Sequence, residues 1–207
     1  MGADVGTKER RAREKEVLRR EILSAARELF VKEGYQHVSM RRIAEKIDYS
    51  PTTIYLYFED KEQLLHAICE ETFTKLVKQF EEIVTTTSDP IECLKKAGRA
   101  YIEFGLRYPD QYRLTFMGPR QPRVGDVNFD YQGSMGEKCF LSLRGIVEEC
   151  VRNNRIRSLN VEATSQVLWA NVHGITSLLI SHELFPWVNK EELINETVDL
   201  MTRGLRP

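Results

Sequence analysis

A short segment of the chain, from Ser50 to Lys61, concentrates hydroxyl-bearing and aromatic residues. Ile54 and Phe58 are four residues apart and share one face of a helix, which we expect to be buried. The polar residues left on the other faces are Thr52, Thr53, Tyr55 and Tyr57. Such side chains can bond base edges, touch a thymine methyl group or reach phosphate oxygens. Lys61 adds a cation beside a positive helix terminus, and both favour a phosphate.

Three helices are predicted to position this segment. Apolar residues at helical spacing indicate a first helix that stops at Gly34. Ser39 is the expected N-cap of a short second helix, and Ser50 followed by Pro51 starts a third helix of about two turns. A turn at Asp48 separates the second and third helices. This arrangement is typical of a helix-turn-helix, which buries one face of its reading helix and presents the other to a major groove.

Helical periodicity continues through the rest of the chain, and polar cap residues indicate where helices begin. The expected caps are Asp60, Asp89, Asn160 and Asn189. Two long helices are predicted, from about Phe129 to Val151 and from about Asn160 to Glu183, after a loop at residues 118–125. No segment alternates convincingly as a strand. We therefore predict an all-α fold of about nine helices.

The formal net charge of −1 conceals an asymmetry along the 207 residues. Residues 8–20 carry seven basic and three acidic side chains, whereas the body of the chain is mildly acidic. A basic N-terminal segment on a mildly acidic chain suggests an anionic partner for that segment alone. The alternatives are a solvated helix face, a disordered tail that adds nonspecific affinity, or an arm inserted into a minor groove.

Several functional classes lack support in the sequence. The four cysteines are widely spaced, without a C-x-x-C pair, as in a reduced cytosolic protein. No secretion signal or long apolar stretch is present, so we expect a cytoplasmic protein that does not enter a membrane. His173 and His182 lie on opposite sides of one predicted helix and cannot chelate one metal within a chain. Without a phosphate-binding loop or a G-x-S-x-G motif, we expect neither an enzyme nor a cofactor or metal site.

Residues 22–68, ILSAARELFVKEGYQHVSMRRIAEKIDYSPTTIYLYFEDKEQLLHAI, resemble the amino-terminal domain of the tetracycline-repressor (TetR) family of bacterial transcription regulators. In this run, 18 positions stand in register with the family pattern. The resemblance implies a homodimer whose two reading helices enter successive major grooves of a double-stranded, pseudo-palindromic DNA operator.

Carried over by position, the resemblance assigns two groups of DNA contacts. The base-facing group is Pro51, Thr52, Thr53 and Tyr55, and the phosphate contacts are Ser39, Arg41, Tyr57 and Lys61. Asp48 replaces the usual glycine of the turn, and aspartate tolerates a left-handed backbone. Leu56 stands where many members have histidine, which removes one polar contact. Alternative interpretations remain: Tyr55 as a packing residue, and Thr52 as a solvated side chain.

Residues 166–180, QVLWANVHGITSLLI, resemble a carboxy-terminal domain type with a Trp-x-x-x-His-Gly (WHG) run. Here the run consists of Trp169, His173 and Gly174, and His173 either bonds an effector or is a hydrogen-bonded core histidine beside a core tryptophan. The candidate effector-binding residues are Tyr101, Phe104, Tyr108, Tyr112, Phe116, Tyr131, Trp169 and His173. An aromatic stripe at helical spacing is also what an ordinary helical core contains.

The implied domains are a basic arm (1–16), a helix-turn-helix DNA-binding domain (17–62) and an effector-binding and dimerisation domain (63–207). The expected dimer helices carry Ser165, Ala170, Gly174 and Ser177, then Leu193, Ile194, Val198 and Met201. The resemblance implies a repressor released by a small apolar or amphipathic effector that shifts the fourth helix. Two alternatives stay open: the protein is an activator rather than a repressor, or the effector promotes DNA binding rather than releasing it. From another class, a helical protein-binding adaptor without DNA binding is the alternative.

Overall fold

The computed structural model of the chain describes residues 3–118, 132–157 and 160–206. Within these ranges it contains nine α-helices, one short 3₁₀ turn and no strand, which confirms the predicted all-α fold. The described residues pack as two compact units. The first unit holds residues 3–69 and 113–118, and the second holds residues 70–112, 132–157 and 160–206. The functional assignment of the predicted domains stays a prediction.

The helices are named in chain order. They are α1 (Ala3–Glu33), α2 (Met40–Lys46), α3 (Pro51–Tyr55), α4 (Lys61–Thr86), α5 (Pro90–Arg107), α6 (Pro109–Phe116), α7 (Met135–Arg152), α8 (Val161–Ser181) and α9 (Lys190–Arg203). The 3₁₀ turn Tyr35–His37 joins α1 to α2. The first unit therefore contains the three predicted DNA-binding helices, together with the start of α4.

Local side-chain caps begin the helices of the first unit where the sequence predicted them. Ser39 Oγ accepts a hydrogen bond from the Arg42 backbone N–H at 3.1 Å and begins α2. The turn before α3 contains Asp48 with φ +58°, a left-handed conformation that aspartate tolerates better than most residues. Gly34 ends α1 with φ +83°, where a side chain would be strained.

One apolar core holds the first unit together. Ile54 and Phe58 are buried in it, as their spacing predicted, against residues of α1 and α2. The fully buried members include Ile22, Ala26, Ile43 and Ala44. A five-residue helix such as α3 has little stability of its own, so this packing is what holds it in place.

α1 extends much further toward the N-terminus than the sequence predicted. We expected helix from Val17 and an arm before it, but α1 begins at Ala3. The segment lacks an apolar face, which is why its periodicity was uninformative. It is nevertheless rich in strong helix formers. Exposed ion pairs one turn apart also support it, between Arg10 and Glu14 at 3.5 Å and between Glu16 and Arg20 at 3.0 Å. In the structure residues 3–16 are thus helical rather than irregular, and their role stays a prediction.

α7 begins later than predicted. Its first residue is Met135 rather than about Phe129, and residues 132–134 form a turn. Ser134 Oγ caps the helix by accepting a hydrogen bond from the Glu137 backbone N–H at 3.1 Å. The sequence analysis did not identify Ser134 as a cap. Residues 119–131, which include most of the predicted loop, lie outside the described residues.

Close packing of α5 against α8 organises the second unit. Gly105 makes this approach possible, because a Cβ atom there would lie 2.3 Å from Thr176 Cγ2 and 2.9 Å from Tyr112 Cδ2. Such distances are far below a normal carbon contact, and the first atom belongs to a fully buried side chain. The backbone of α5 can therefore take up this position only with glycine at residue 105.

Burial determines the state of the cysteine thiols in the second unit. It raises the pKa of Cys139 to about 12 and that of Cys150 to about 11, and it also raises the pKa of Cys93. Cys69 in α4, the remaining cysteine, is only half-buried. None of the four cysteines forms a disulfide bond. Among the described residues, no group of three metal-ligating side chains could hold a metal ion. No helix in the same ranges is long and apolar enough to cross a membrane.

Candidate DNA interface and effector site

The N-terminal cap of α3 fixes the reading helix. Ser50 Oγ accepts a hydrogen bond from the Thr53 backbone N–H at 3.2 Å, and it lies 2.9 Å from Thr53 Oγ1. Thr53 is half-buried, so its hydroxyl belongs to the cap as well as to the predicted base-facing group. The cap and the buried Ile54 together define which faces of α3 point outward.

Two side chains of the predicted base-facing group project furthest from the first unit. Thr52 is exposed and Tyr55 is 53% exposed, so the packing interpretation of Tyr55 is not supported. Pro51 is half-buried at the first helical position. Leu56 is more exposed than Tyr55 and carries no hydrogen-bonding group. The outward surface of α3 is therefore mixed, with hydroxyl, aromatic and aliphatic groups side by side.

Three of the predicted phosphate contacts lie around α2 and the end of α3. The Ser39 hydroxyl caps α2 as an acceptor, which leaves its proton free to be donated. Arg41 is largely exposed and its Nε donates to Glu45 Oε1 at 3.0 Å. Tyr57 is half-buried, with Lys15 Nζ 5.9 Å from the centre of its ring. These placements are compatible with phosphate contacts, which stay predictions.

Lys61 has a role that the sequence did not reveal. Its ammonium donates to the backbone carbonyls of Tyr35 and Val38 at 2.7 and 3.0 Å, and it lies 4.4 Å from the centre of the Tyr35 ring. Burial lowers the pKa of Lys61. Two of its three N–H donors thus tie the start of α4 to the α1–α2 turn. A phosphate contact can use only the third donor and stays a prediction.

Ion pairs fix α2 against α1. Arg42 Nη2 lies 2.9 Å from Glu33 Oε1, and Lys46 Nζ lies 2.8 Å from Glu28 Oε1. The hydrogen bond from Arg42 holds the pKa of Glu33 below its usual range, and the bond from Lys46 does the same for Glu28. Arg42 and Lys46 are thus engaged by α1, and they are not available for an external anion.

The second unit brings three of the predicted effector residues together around a fourth, His173. Tyr112 Oη lies 2.6 Å and Tyr101 Oη 3.2 Å from His173 Nδ1. The two tyrosine hydroxyls are 3.3 Å apart, and Trp169 Nε1 donates to Tyr101 Oη at 3.3 Å. The His173 ring also stacks on the Tyr112 ring, with centroids 5.6 Å apart. Helices α5, α6 and α8 each contribute to this aromatic cluster.

The pKa shifts in the aromatic cluster indicate where its protons lie. Burial raises the pKa of Tyr112 and raises that of Tyr101 well above its usual value, so both phenols stay protonated. Burial lowers the pKa of His173, which favours the neutral ring. Tyr112 Oη lies 2.6 Å from His173 Nδ1 and Ser177 Oγ lies 3.3 Å from Nε2, so one nitrogen of the neutral ring donates a hydrogen bond and the other accepts one. His173 therefore connects buried phenols to a half-buried serine.

Two parts of the chain match known protein families. Residues 22–68 match the family described as "Bacterial regulatory proteins, tetR family". Residues 94–205, more than half of the chain, match the family described as "Tetracyclin repressor-like, C-terminal domain". The chain belongs to the TetR family. It is therefore a DNA-binding transcriptional regulator, which argues against the adaptor alternative.

Similar proteins include regulators of fatty acid metabolism. The chain is 23% identical over 188 residues to the fatty acid metabolism regulator protein of Bacillus subtilis, covering 89% of this chain and 94% of that protein. It is 32% identical over 98 residues to the transcriptional activator FasR of Mycolicibacterium smegmatis, covering 47% of this chain and only 45% of that protein. The structure of the regulator FadR from Bacillus subtilis in complex with stearoyl-CoA has a TM-score of 0.74 at 20% identity, covering 90% of this chain and 98% of that chain. This structural likeness shows a shared fold.

The other predicted effector residues that the structure of this TetR-family chain describes lie outside the hydrogen-bonded network. Phe104 and Tyr108 pair with each other, with ring centroids 5.2 Å apart. Phe116 belongs to the first compact unit, and Tyr131 lies outside the described residues. Trp169 is 41% exposed, so the interpretation as a core tryptophan is wrong.

Sequence reasoning missed two neighbours of the WHG run. Phe140 of α7 lies edge-on to Trp169, with ring centroids 6.3 Å apart, and no sequence signal connects two such distant residues. Ser177 follows His173 by one helical turn and contacts its Nε2. The i, i+4 spacing could have indicated this second neighbour.

The helices expected to form a dimer present only part of the predicted set of residues on their surface. Ser165, Ile194 and Val198 are buried within the second unit, so they cannot face a partner. The exposed apolar residues of α8 and α9 include Val167, Leu178 and Leu200. A helical period identifies two faces of an amphipathic helix but does not tell which face meets the helix's own chain.

Proposed function

We propose that this TetR-family regulator binds a pseudo-palindromic operator as a homodimer, represses transcription, and is released by a small amphipathic effector. The observation that carries the proposal is the geometry of α3. A five-residue helix is capped by Ser50 and anchored by buried Ile54, so that Thr52 and Tyr55 project outward. These side chains are the proposed base contacts, while Ser39, Arg41 and Tyr57 supply phosphate contacts.

The outward face of α8 and α9 supports a dimer. Val167 is 60% exposed and Leu200 is 62% exposed, and Leu178 lies on the same outward stripe of α8 as Val167. Ala170 and Gly174 follow that stripe and are small enough to let a second helix approach closely. A self-complementary surface of this kind produces a two-fold dimer, which matches the symmetry of a palindromic operator.

The aromatic cluster supports a lipid-like effector. Phe140 and Trp169 offer apolar surface to a hydrocarbon chain, while His173 and Ser177 offer polar groups to its head. Regulators named for fatty acid metabolism, and one bound to stearoyl-CoA, are similar to this chain. We therefore assign the effector to the class of fatty acyl derivatives, with thioesters of coenzyme A as the first candidates.

In this proposal α4 carries the signal. Its residues 61–69 belong to the first unit and its residues 70–86 to the second, so a shift of one helix involves both units. An effector that favours one position of α4 changes the spacing of the two reading helices of a dimer. DNA is released when that spacing no longer spans both half-sites.

The first experiment is a selection of random DNA duplexes by the purified protein at about 0.15 M salt, which partly suppresses nonspecific phosphate binding. An enriched pseudo-palindrome that is bound about 10- to 100-fold more weakly by Tyr55→Ala is the expected result, since one base contact contributes about 1–3 kcal/mol. Val84→Ala, an exposed apolar change on α4, is the control and keeps full affinity. Enrichment of a single asymmetric half-site would contradict the homodimer.

The second experiment measures operator affinity in the presence of an acyl-coenzyme A series of increasing chain length, with coenzyme A alone as the control. We expect release that strengthens with chain length, because about 0.8 kcal/mol accompanies each buried methylene. Tightly bound acyl-coenzyme A without any change in operator affinity would contradict the coupling. Transcription from an operator-bearing template distinguishes a repressor from an activator.

A further inference from the structure

The N-terminal part of α1 presents basic residues along one face. Spacings of three, four and four residues place them within an arc of about 80°. They are Lys8, Arg11, Lys15 and Arg19. Acidic residues of the segment, Glu9, Glu14 and Glu16, fall on other faces of the helix. We refer to these four cations as the basic stripe.

Basic residues on the other faces are partly neutralised. Arg10 pairs with Glu14 at 3.5 Å, and Arg20 pairs with Glu16 at 3.0 Å. Glu9, Glu14 and Glu16 thus lie on the same side of the helix as Arg10, Arg13 and Arg20. Lys8, Arg11 and Lys15 are exposed, so their charge is directed into solvent. The helix carries an oriented positive field rather than a uniform one.

Two contacts show where the basic stripe lies within the first unit. Lys15 Nζ is 5.9 Å from the centre of the Tyr57 ring, and Arg19 Cζ is 5.4 Å from that of Phe58. Tyr57 and Phe58 lie two and three residues after the end of the reading helix. The stripe therefore continues the candidate DNA interface beyond α3, and at 1.5 Å per residue it extends for about 16 Å from Arg19 to Lys8.

We propose that the basic stripe is a second DNA-binding surface, which contacts backbone phosphates flanking the base pairs that α3 reads. The proposal rests on the proposed role of α3. Arg19, half-buried over Phe58, anchors the helix, while Lys8, Arg11 and Lys15 meet the phosphates. A regular helix of about 10 Å diameter does not fit within a minor groove about 6 Å wide. The surface thus adds affinity without reading sequence.

The test compares two double variants that remove the same charge from the same helix. Arg11→Gln with Lys15→Gln neutralises the stripe, whereas Arg10→Gln with Arg13→Gln neutralises other faces. Glutamine is a good helix former, so circular dichroism of both variants stays unchanged. Fluorescence anisotropy measures binding to the selected operator and to a scrambled duplex from about 0.05 to 0.3 M salt.

Neutralising the stripe should lower the slope of log affinity against log salt by about 0.9 for each lost phosphate contact, or nearly 2 per protomer. Affinity should fall by a similar factor for the operator and the scrambled duplex, and the control pair should change the slope by less than half as much. Equal effects of the two pairs would overturn the proposal, because charge would then act without orientation.

Two further outcomes would also overturn it. A loss confined to the operator would mean that the segment reads sequence. An unchanged slope in the stripe variant, while Tyr55→Ala weakens operator binding as expected, would remove the second surface and leave α3 as the reading helix. If Tyr55→Ala binds normally, the proposed role of α3 fails separately from the stripe measurement.

Discussion

The polar groups of the two compact units are arranged in opposite ways. In α3, Thr52 and Tyr55 project outward from a buried apolar support. In the second unit, Tyr101 and Tyr112 are buried and their hydroxyls bond each other and His173. In the first arrangement, exposed polar groups gain new contacts when DNA binds. The second is already hydrogen-bonded, so a ligand must exchange existing bonds for new ones.

This difference separates the sources of affinity and specificity. A hydrogen bond exchanged within the aromatic cluster contributes little net free energy, because a bond of similar strength is lost. An effector's affinity must therefore come mainly from apolar surface, while His173 and Tyr112 penalise head groups that leave them unpaired. At α3, by contrast, each polar group adds a contact made only with DNA.

The largest expected effect is a loss of stability when the buried side chain beneath α3 is shortened. Ile54→Ala removes a fully buried side chain beneath α3, and the unfolding free energy should fall by about 2–5 kcal/mol. Urea denaturation measures the change. Leu56→Ala, at an exposed neighbour, is the control and should change stability by less than about 0.5 kcal/mol. Similar losses in both variants would mean that α3 is not held by its buried face.

Lys61→Met tests whether a cation of the first unit serves the fold or the DNA. Loss of two charge-assisted hydrogen bonds should lower the unfolding free energy by about 1.5–3 kcal/mol. The slope of DNA affinity against salt should change little. Arg41→Gln should behave in the opposite way, with a small loss of stability and a slope lower by about 0.9 per protomer. A full unit of slope lost in Lys61→Met would show that its third donor binds a phosphate.

Tyr112→Phe tests whether the buried hydrogen bonds of the second unit stabilise the fold. It deletes a buried hydroxyl and leaves His173 Nδ1 without its shortest hydrogen bond, so stability should fall by about 1–3 kcal/mol. Tyr108→Phe deletes the same atom from a half-buried ring and is the matched control. Thermal unfolding measures both variants. Indistinguishable melting temperatures would show that the network is not a stabilising element.

The smallest expected effect is a dependence of stability on pH. Because burial lowers the pKa of His173, the folded state binds fewer protons than the unfolded state near and below the ordinary histidine pKa of about 6.5. The contribution is fully present above that value and is lost as the pH falls through the lower, folded pKa. Urea denaturation between about pH 5 and 7.5 should show this decline.

His173→Gln should flatten that decline, whereas His182→Gln, at an exposed position of the same unit, should leave it in place. The carboxyl groups of Glu28, Glu33 and Asp199, whose pKa values are lowered by ion pairs, titrate below this window. An unchanged pH profile in His173→Gln would show that the ring is not desolvated in the folded protein.

The sequence predicted features that depend on residues a few positions apart. Ser39, Ser50 and Asp89 cap their helices because a side-chain oxygen reaches a backbone N–H two or three residues later. The buried face of α3 follows from the four-residue spacing of Ile54 and Phe58. Such features are local, and neighbouring residues determine them.

Features that depend on distant residues were not predictable. Lys61 bonds carbonyls 26 and 23 residues away, and Tyr112 bonds His173 across 61 residues of chain. Neither partner is marked by spacing, because tertiary packing brings them together. The helical form of residues 3–16 was missed for another reason, since a helix without an apolar face produces no periodic signal.

The unequal burial of the thiols should allow a fluorescent dye to be attached at one cysteine of the natural sequence. Thiolate is the form that reacts with maleimides, and raised pKa values keep Cys93, Cys139 and Cys150 almost wholly protonated at neutral pH. A dye should therefore attach to half-buried Cys69 first, without any cysteine being replaced. Because Cys69 lies on α4, the emission of the attached dye would report movement of the helix proposed to carry the signal. Effectors could then be screened by fluorescence in a plate reader.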